Sequence, residues 1–186
     1  MADDLRARLE AAEGTMQKLA EHIPGFRGYR ELGLRRKADE LVRLHLVGLL
    51  DDTLGQLDRV ISRRADSRHL DLLDDLDRLR GRVRKVRDGL RYADYGYTGW
   101  WDAVKIREAE LDRMYQYDLD LRTGVVALDE AVQALALAAE ADLAAQMQAV
   151  DAEADLAAQM QAVDAQAQTL QQALDHRGEA ITALIS

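Results

Sequence analysis

Residues 139–164 read AEADLAAQMQAVDAEADLAAQMQAVD, which is one thirteen-residue sequence written twice, at 139–151 and at 152–164. Both copies consist mainly of alanine, leucine, glutamine and methionine, which are strong helix formers, and neither contains glycine or proline. Beyond Gly99 the chain has glycine only at Gly124 and Gly178, and it has no proline. This pattern predicts a single helix over residues 99–183, roughly 125 Å long at ~1.5 Å per residue.

The repeat disturbs the apolar seam of that helix. Thirteen residues are one short of two heptads, so at ~100° per residue the second copy is rotated by roughly 140° from the first. One interpretation is a neutral insertion that lengthens a solvated helix, and the other is a spacer or a second contact face for another subunit. The apolar positions of both copies and of the helix beyond them are the candidate oligomerisation contacts: Leu143, Met147, Val150, Leu156, Met160, Val163, Leu170 and Leu174.

Three further helices precede this one. Apolar residues at alternating spacings of three and four predict helices over about 3–22, 30–64 and 68–92. Pro24 and two nearby glycines break the chain after the first helix, and a second break covers 92–101. The second and third helices have similar lengths and a short connection, so we expect them to form an antiparallel hairpin.

The predicted fold class is therefore all-α, an antiparallel helical hairpin or bundle with a very long C-terminal coiled-coil helix. Residues 1–136 are expected to form the bundle, with its fourth helix at 99–136, and residues 137–186 an Ala/Gln-rich helical extension. The hairpin is only ~35–50 Å long at the same rise per residue. The remainder of the long helix must therefore project, fold back at a break, or pack on other chains.

Charge and composition exclude several classes of function. The net charge is −9, which disfavours general binding of nucleic acid. Residues 1–100 hold 20 basic and 18 acidic side chains, whereas residues 101–186 hold 5 and 16, so the two halves should attract each other or attract partners of different sign. The absence of cysteine excludes disulfides and thiolate zinc sites, and a cytoplasmic location is expected. The acidic N-terminus is not typical of a signal peptide, and no apolar run is long enough to cross a membrane.

Aromatic residues are concentrated at the two breaks, which an antiparallel hairpin would bring to one end of the bundle. One interpretation is a hydrophobic plug that closes this end. The other is a binding surface for a protein partner or a membrane interface, because Trp, Tyr and Arg dominate binding hot spots. The candidate interaction pole comprises Phe26, Arg27, Tyr29, Tyr95, Tyr97, Trp100 and Trp101.

No sequence motif indicates catalysis, a cofactor or a metal. None of the four histidines lies in a Glu-x-x-His motif, and phosphate-binding glycine loops and nucleophile elbows are missing. The third helix carries a basic stretch, from Arg78 to Arg91, which either pairs with nearby acids or contacts anionic lipid.

The segments Ile23-Pro24-Gly25-Phe26-Arg27-Gly28-Tyr29-Arg30 and Tyr95-Gly96-Tyr97-Thr98-Gly99 resemble a group of uncharacterised bacterial helical proteins, over about residues 20–135. That resemblance implies a helical fold and supplies no activity. The order of long helices is also loosely similar to the phage-shock-protein/ESCRT-III class of membrane-remodelling proteins.

These features predict a non-enzymatic coiled-coil scaffold that self-assembles into a homo-oligomer or filament and presents its aromatic pole to a protein partner. The alternative hypothesis is a peripheral membrane adaptor that binds anionic lipid through the basic third helix and the aromatic pole.

Overall fold

A computed structural model describes residues 14–28, 35–67, 72–93, 108–147 and 153–183. The helices in these ranges are α1 at 14–22, α2 (Arg35–Asp66), α3 (Leu73–Tyr92), α4 (Glu108–Met147) and α5 (Glu153–Ala183). None of the described residues lies in a strand, so the predicted all-α class is confirmed. Residues 3–13 of the expected first helix lie outside the described ranges.

Helices α2 and α3 pack side by side and run in opposite directions. Near the start of α2, Arg43 Nη1 lies 3.5 Å from the carbonyl oxygen of Leu90, close to the end of α3. Further along α2, Asp58 accepts a 3.1 Å hydrogen bond from Arg80, close to the start of α3. The interface is apolar because the α3 seam predicted from the sequence is buried between Leu76 and Leu90.

Helix α4 packs against α2 in the same direction. Asp129 of α4 accepts hydrogen bonds from Thr53 Oγ1 at 2.9 Å and from Gln56 Nε2 at 2.8 Å. Further along both helices, Arg64 Nη1 lies 2.7 Å from Asp142 Oδ2. The buried stripe of α4 is the one that the heptad pattern predicts, and its members are 1% exposed or less: Leu121, Val125, Leu128, Val132 and Leu135.

The prediction of one continuous helix over 99–183 is wrong, because the chain reverses between α4 and α5. Arg177 of α5 donates a 2.8 Å hydrogen bond to Asp118, near the start of α4. Leu170 lies against Gly124, where an added β-carbon would come within 3.0 Å of the leucine Cδ1. In one straight helix the 59 residues between Asp118 and Arg177 would span roughly 90 Å.

Burial explains why the chain folds back although the local sequence favours helix throughout. On α5, six large apolar side chains are 8% exposed or less: Leu156, Met160, Val163, Leu170, Leu174 and Ile181. Burying each one stabilises the fold by about 1.5–3 kcal/mol, which is on the order of 10 kcal/mol for the stripe. Interrupting a helix forgoes about four hydrogen bonds at ~1 kcal/mol each, so burial outweighs continuity.

Helix α5 also packs along α3, in the same direction, through a 2.9 Å ion pair between Arg82 and Asp164 and a close contact of Leu174 with Gly89. The four long helices therefore share one core. The expected division into a bundle at 1–136 and an extension at 137–186 has no counterpart in this packing, since α5 is one side of the bundle. The second copy also does not lie in a solvated stretch of helix, as the insertion interpretation expects, because Leu156, Met160 and Val163 belong to that core.

Candidate functional site

The loop after α1 is held in one conformation by its own sequence. Pro24 and Gly25 occupy the centre of a turn in which the Phe26 amide donates to the Ile23 carbonyl oxygen at 3.1 Å. Gly25 has φ +82°, which glycine adopts without strain at this position of a type II turn. Gly28 has φ +83° and lies so close to Tyr115 that an added β-carbon would come within 2.7 Å of the hydroxyl.

The two described members of the predicted interaction pole differ in their exposure to solvent. Phe26 is 5% exposed and meets Tyr115 edge-on, with ring centroids 6.3 Å apart and an interplanar angle of 89°. Phe26 therefore serves as a plug and is buried away from any partner. Arg27 is exposed and lines a cavity of about 420 Å³ between the loop and the first turns of α2. The other predicted pole residues lie outside the described ranges: Tyr29, Tyr95, Tyr97, Trp100 and Trp101.

A buried network of charges lies at the same end of the bundle. Asp39 of α2 accepts a 2.7 Å hydrogen bond from Arg43 Nε and a 2.5 Å hydrogen bond from Arg177 Nη2. Arg177 Nε donates to Asp118 at 2.8 Å, and Arg43 Nη1 lies 3.5 Å from the Leu90 carbonyl oxygen. All four of these residues are 4% exposed or less. The network therefore ties together α2, α3, α4 and α5 with two positive and two negative charges.

A second buried ion pair, between Arg64 and Asp142, lies near the far ends of α2 and α4, and both side chains are 1% exposed. Sequence analysis did not predict either cluster, although a signal was present. Asp118 lies at heptad spacing between Leu111 and Val125, and Arg177 lies between Leu170 and Ile181. A charge on an otherwise apolar seam indicates a buried partner of opposite charge on a facing helix, because an unpaired one would be too costly.

The basic stretch of α3 is largely neutralised by carboxylates, as the first of its two interpretations predicts. Arg80 pairs with Asp58 and Asp77, Arg82 with Asp164, and both Arg87 and Arg91 with Asp51, while Arg78 pairs with Asp75. Within the described ranges, Arg84 and Lys85 are the cations of this stretch without such a pair.

The candidate oligomerisation contacts do not form an exposed seam. Five of them are buried inside the chain's own bundle: Leu156, Met160, Val163, Leu170 and Leu174. Leu143 is half-buried on α4. The Met147 side chain and Val150 lie outside the described part of the structure. Sequence analysis predicts the five buried residues as contacts between chains, but in the structure they lie between helices of one chain.

The histidines in the described ranges form no metal centre. Burial first, then the nearby charges of Arg122 and His22, lower the pKa of His45. Among the described residues, no three His, Asp or Glu side chains are grouped as a metal site requires. No helix in the described ranges has the length and apolar character needed to cross a bilayer.

Comparisons with protein-family models, with curated proteins and with solved structures found no match to this chain. The resemblance to bacterial helical proteins stays a prediction, and the functional argument depends on the geometry described above.

Proposed function

We propose that this chain is a non-enzymatic helical scaffold that associates with copies of itself, and that α5 is the helix exchanged between copies. The observation that carries the proposal is the docking of α5 onto α3 and α4. Its stripe and Arg177 meet surfaces that every other copy of the chain also offers, so the same contacts can form between two chains.

The sequence between α4 and α5 supports an open form. Residues 148–152 are Gln-Ala-Val-Asp-Ala, and no glycine or proline occurs anywhere between Gly124 and Gly178. A continuous helix over 108–183, roughly 115 Å long, is therefore favoured locally. In this proposal the very long C-terminal coiled-coil helix is the conformation of an exchanging copy.

An open copy is unstable alone, which drives it to a partner. Opening exposes the α5 stripe and removes Arg177 from Asp39 and Asp118, so two buried carboxylates lose a shared positive charge, which is costly. Two copies that exchange α5 reciprocally regain every contact as a closed dimer. A copy that passes its α5 onward instead of receiving one from the same partner extends a filament.

Open clefts separate parts of α3 from α5, which lowers the cost of exchange. Clefts of about 370 and 330 Å³ lie between these helices, one bordered by Ala157 and Gln161 and the other by Gln171 and Gln172. Alanine buries little apolar area, and Gln161 and Gln172 stay exposed.

An engineered disulfide tests the exchange directly, since the chain contains no cysteine of its own. Gly124→Cys/Leu170→Cys places the pair across the α4–α5 interface. After oxidation at high protein concentration, we expect a covalent dimer on a non-reducing gel from the fraction that sediments as a dimer. Asp51→Cys/Arg87→Cys is the matched control, because α2 and α3 stay in one chain in both forms and the link should remain intramolecular.

A sedimentation series completes the experiment. Asp151→Pro should lower the dimer fraction, because proline inside a continuous helix costs about 3 kcal/mol. A protein that sediments as a monomer at all concentrations, and that forms only intrachain disulfides with both cysteine pairs, would rule out the exchange.

Binding to anionic lipid through α3 remains the second candidate and has narrower support. Most arginines of the stretch already have carboxylate partners, so Arg84 and Lys85 are the cations that remain for a membrane. Flotation with vesicles that contain anionic lipid should fall in Arg84→Gln/Lys85→Gln. Unchanged flotation of that variant would remove α3 as the lipid contact.

A further inference from the structure

The cavity between the loop after α1 and the start of α2 is lined by Gly25, Arg27, Gly28, Lys37, Ala38 and Leu41. Its volume of about 420 Å³ lies within the range of small-molecule sites. The site is independent of α5 and of the proposed exchange between copies.

Two cations from separate segments line this cavity, and none of its described lining residues is acidic. Arg27 comes from the loop and Lys37 from α2, and both are exposed. Within the described ranges neither side chain makes an ion pair or a hydrogen bond, unlike most arginines of α3. In a protein with 34 acidic and 25 basic side chains, two unpaired cations at one cavity leave a local positive potential that an anion would relieve.

The loop wall of the cavity is already ordered. Phe26 is fixed in the core against Tyr115, and the Ile23–Phe26 turn is closed by a 3.1 Å hydrogen bond. A ligand that meets Arg27 therefore has little of this backbone to order, which favours binding. Gly25 carries no side chain on the side of Leu41, so a ligand can approach the loop backbone closely there.

We propose that this cavity binds the phosphate group of a phosphomonoester. The guanidinium of Arg27 can hold two phosphate oxygens at once, and the Lys37 ammonium adds a second positive charge from α2. The cavity is larger than a phosphate ion, and Ala38 and Leu41 give it an apolar floor. The remaining space therefore fits a small organic group attached to the phosphate.

Calorimetric titration of the full-length chain at constant ionic strength tests the site, with inorganic phosphate, phenyl phosphate and phenol as probes. We expect saturable binding of one phenyl phosphate per chain, weaker binding of inorganic phosphate and none of phenol. Arg27→Gln and Lys37→Gln should each weaken phenyl phosphate binding about tenfold or more, which is the loss of one charge-assisted contact. Lys85→Gln removes an exposed cation from α3 and should leave the affinity unchanged.

The source of the phosphate is decided by a second arm with phosphatidylcholine vesicles, with and without phosphatidic acid. If vesicles that contain phosphatidic acid bind the parent chain but not Lys37→Gln, the ligand is a lipid headgroup. Phenyl phosphate binding without vesicle capture identifies a soluble phosphomonoester. The proposal is overturned if phenyl phosphate shows no saturable binding up to about 10 mM. Equal affinities of Lys37→Gln and Lys85→Gln would overturn it as well.

Discussion

Arg177 and Asp118 are 59 residues apart in the chain, yet Nε of the arginine lies 2.8 Å from Oδ1 of the aspartate. The same guanidinium reaches Asp39 of α2 through Nη2. One side chain of the last helix thus compensates two buried carboxylates on two other helices.

Replacing Arg177 should therefore destabilise the bundle strongly. Arg177→Met leaves Asp39 and Asp118 with a deficit of one positive charge, and we expect a loss of about 3–5 kcal/mol in the free energy of unfolding. Urea denaturation measures this loss. Arg82→Met is the control, because its ion pair with Asp164 is largely exposed and should contribute less than about 1 kcal/mol. Similar losses in the two variants would show that the buried network is not what stabilises α5.

Two glycines of α3 make a second matched pair. An added β-carbon at Gly81 meets nothing within 4 Å, whereas at Gly89 it would come within 2.7 Å of Leu174 Cδ2. Gly81→Ala should stabilise the helix by roughly 0.5–1 kcal/mol. Gly89→Ala should not show this gain, and it should destabilise the protein by about 1 kcal/mol relative to the parent chain, because Leu174 must move. Thermal unfolding of both variants measures the difference, and equal melting temperatures would contradict the close contact between α3 and α5.

The loop glycines separate backbone strain from steric overlap. Both have positive φ, but the nearest side-chain atom to an added β-carbon is 4.0 Å away at Gly25 and 2.7 Å away at Gly28. Gly25→Ala should cost about 1–2 kcal/mol from the left-handed backbone alone. Gly28→Ala should cost a further 1–3 kcal/mol, approximately, since Tyr115 or Met16 must give way. Chemical denaturation compares them, and a Gly28 variant no less stable than the Gly25 variant would be the contrary result.

Stability should decline in mild acid because of His45. Burial, Arg122 and His22 lower the pKa of this imidazole in the folded chain, so the unfolded chain takes up the proton first, near pH ~6.5. His45 therefore makes its full contribution to the free energy of unfolding above that pH. This contribution is lost as the pH falls toward the lower pKa of the folded state. Unfolding free energies at about pH 8 and about pH 5.5 should differ less in His45→Gln than in the parent chain. An unchanged difference would assign the effect to another group.

Much of the core follows from sequence periodicity. The seams of α3 and α4 and the stripe that starts at Leu156 are all buried where alternating spacings of three and four predict them. Periodicity indicates which face of a helix is buried, but it does not indicate which other helix covers that face. The sequence therefore predicts α5 as an interface and leaves open whether the facing helices belong to the same chain.

The reversal between α4 and α5 could not be predicted for a related reason. Local propensity favours helix on both sides of residues 148–152. The chain folds back because α5 buries its apolar stripe on α3 and α4, which are distant in sequence. The candidate site was partly predictable. The loop at 23–28 is marked by Pro24 and its glycines, whereas the role of Lys37 depends on a neighbour that only the folded chain brings near.

The two copies of the thirteen-residue repeat have identical sequences but bury different residues. In the first copy Asp142 is buried with Arg64, while in the second Leu156, Met160 and Val163 enter the core. Loss of either copy by a slip in replication yields the same shortened protein, in which a single segment must serve both as the end of α4 and as the start of α5. We therefore expect the loss of one copy to destabilise the bundle, because one segment would have to supply two different sets of buried contacts.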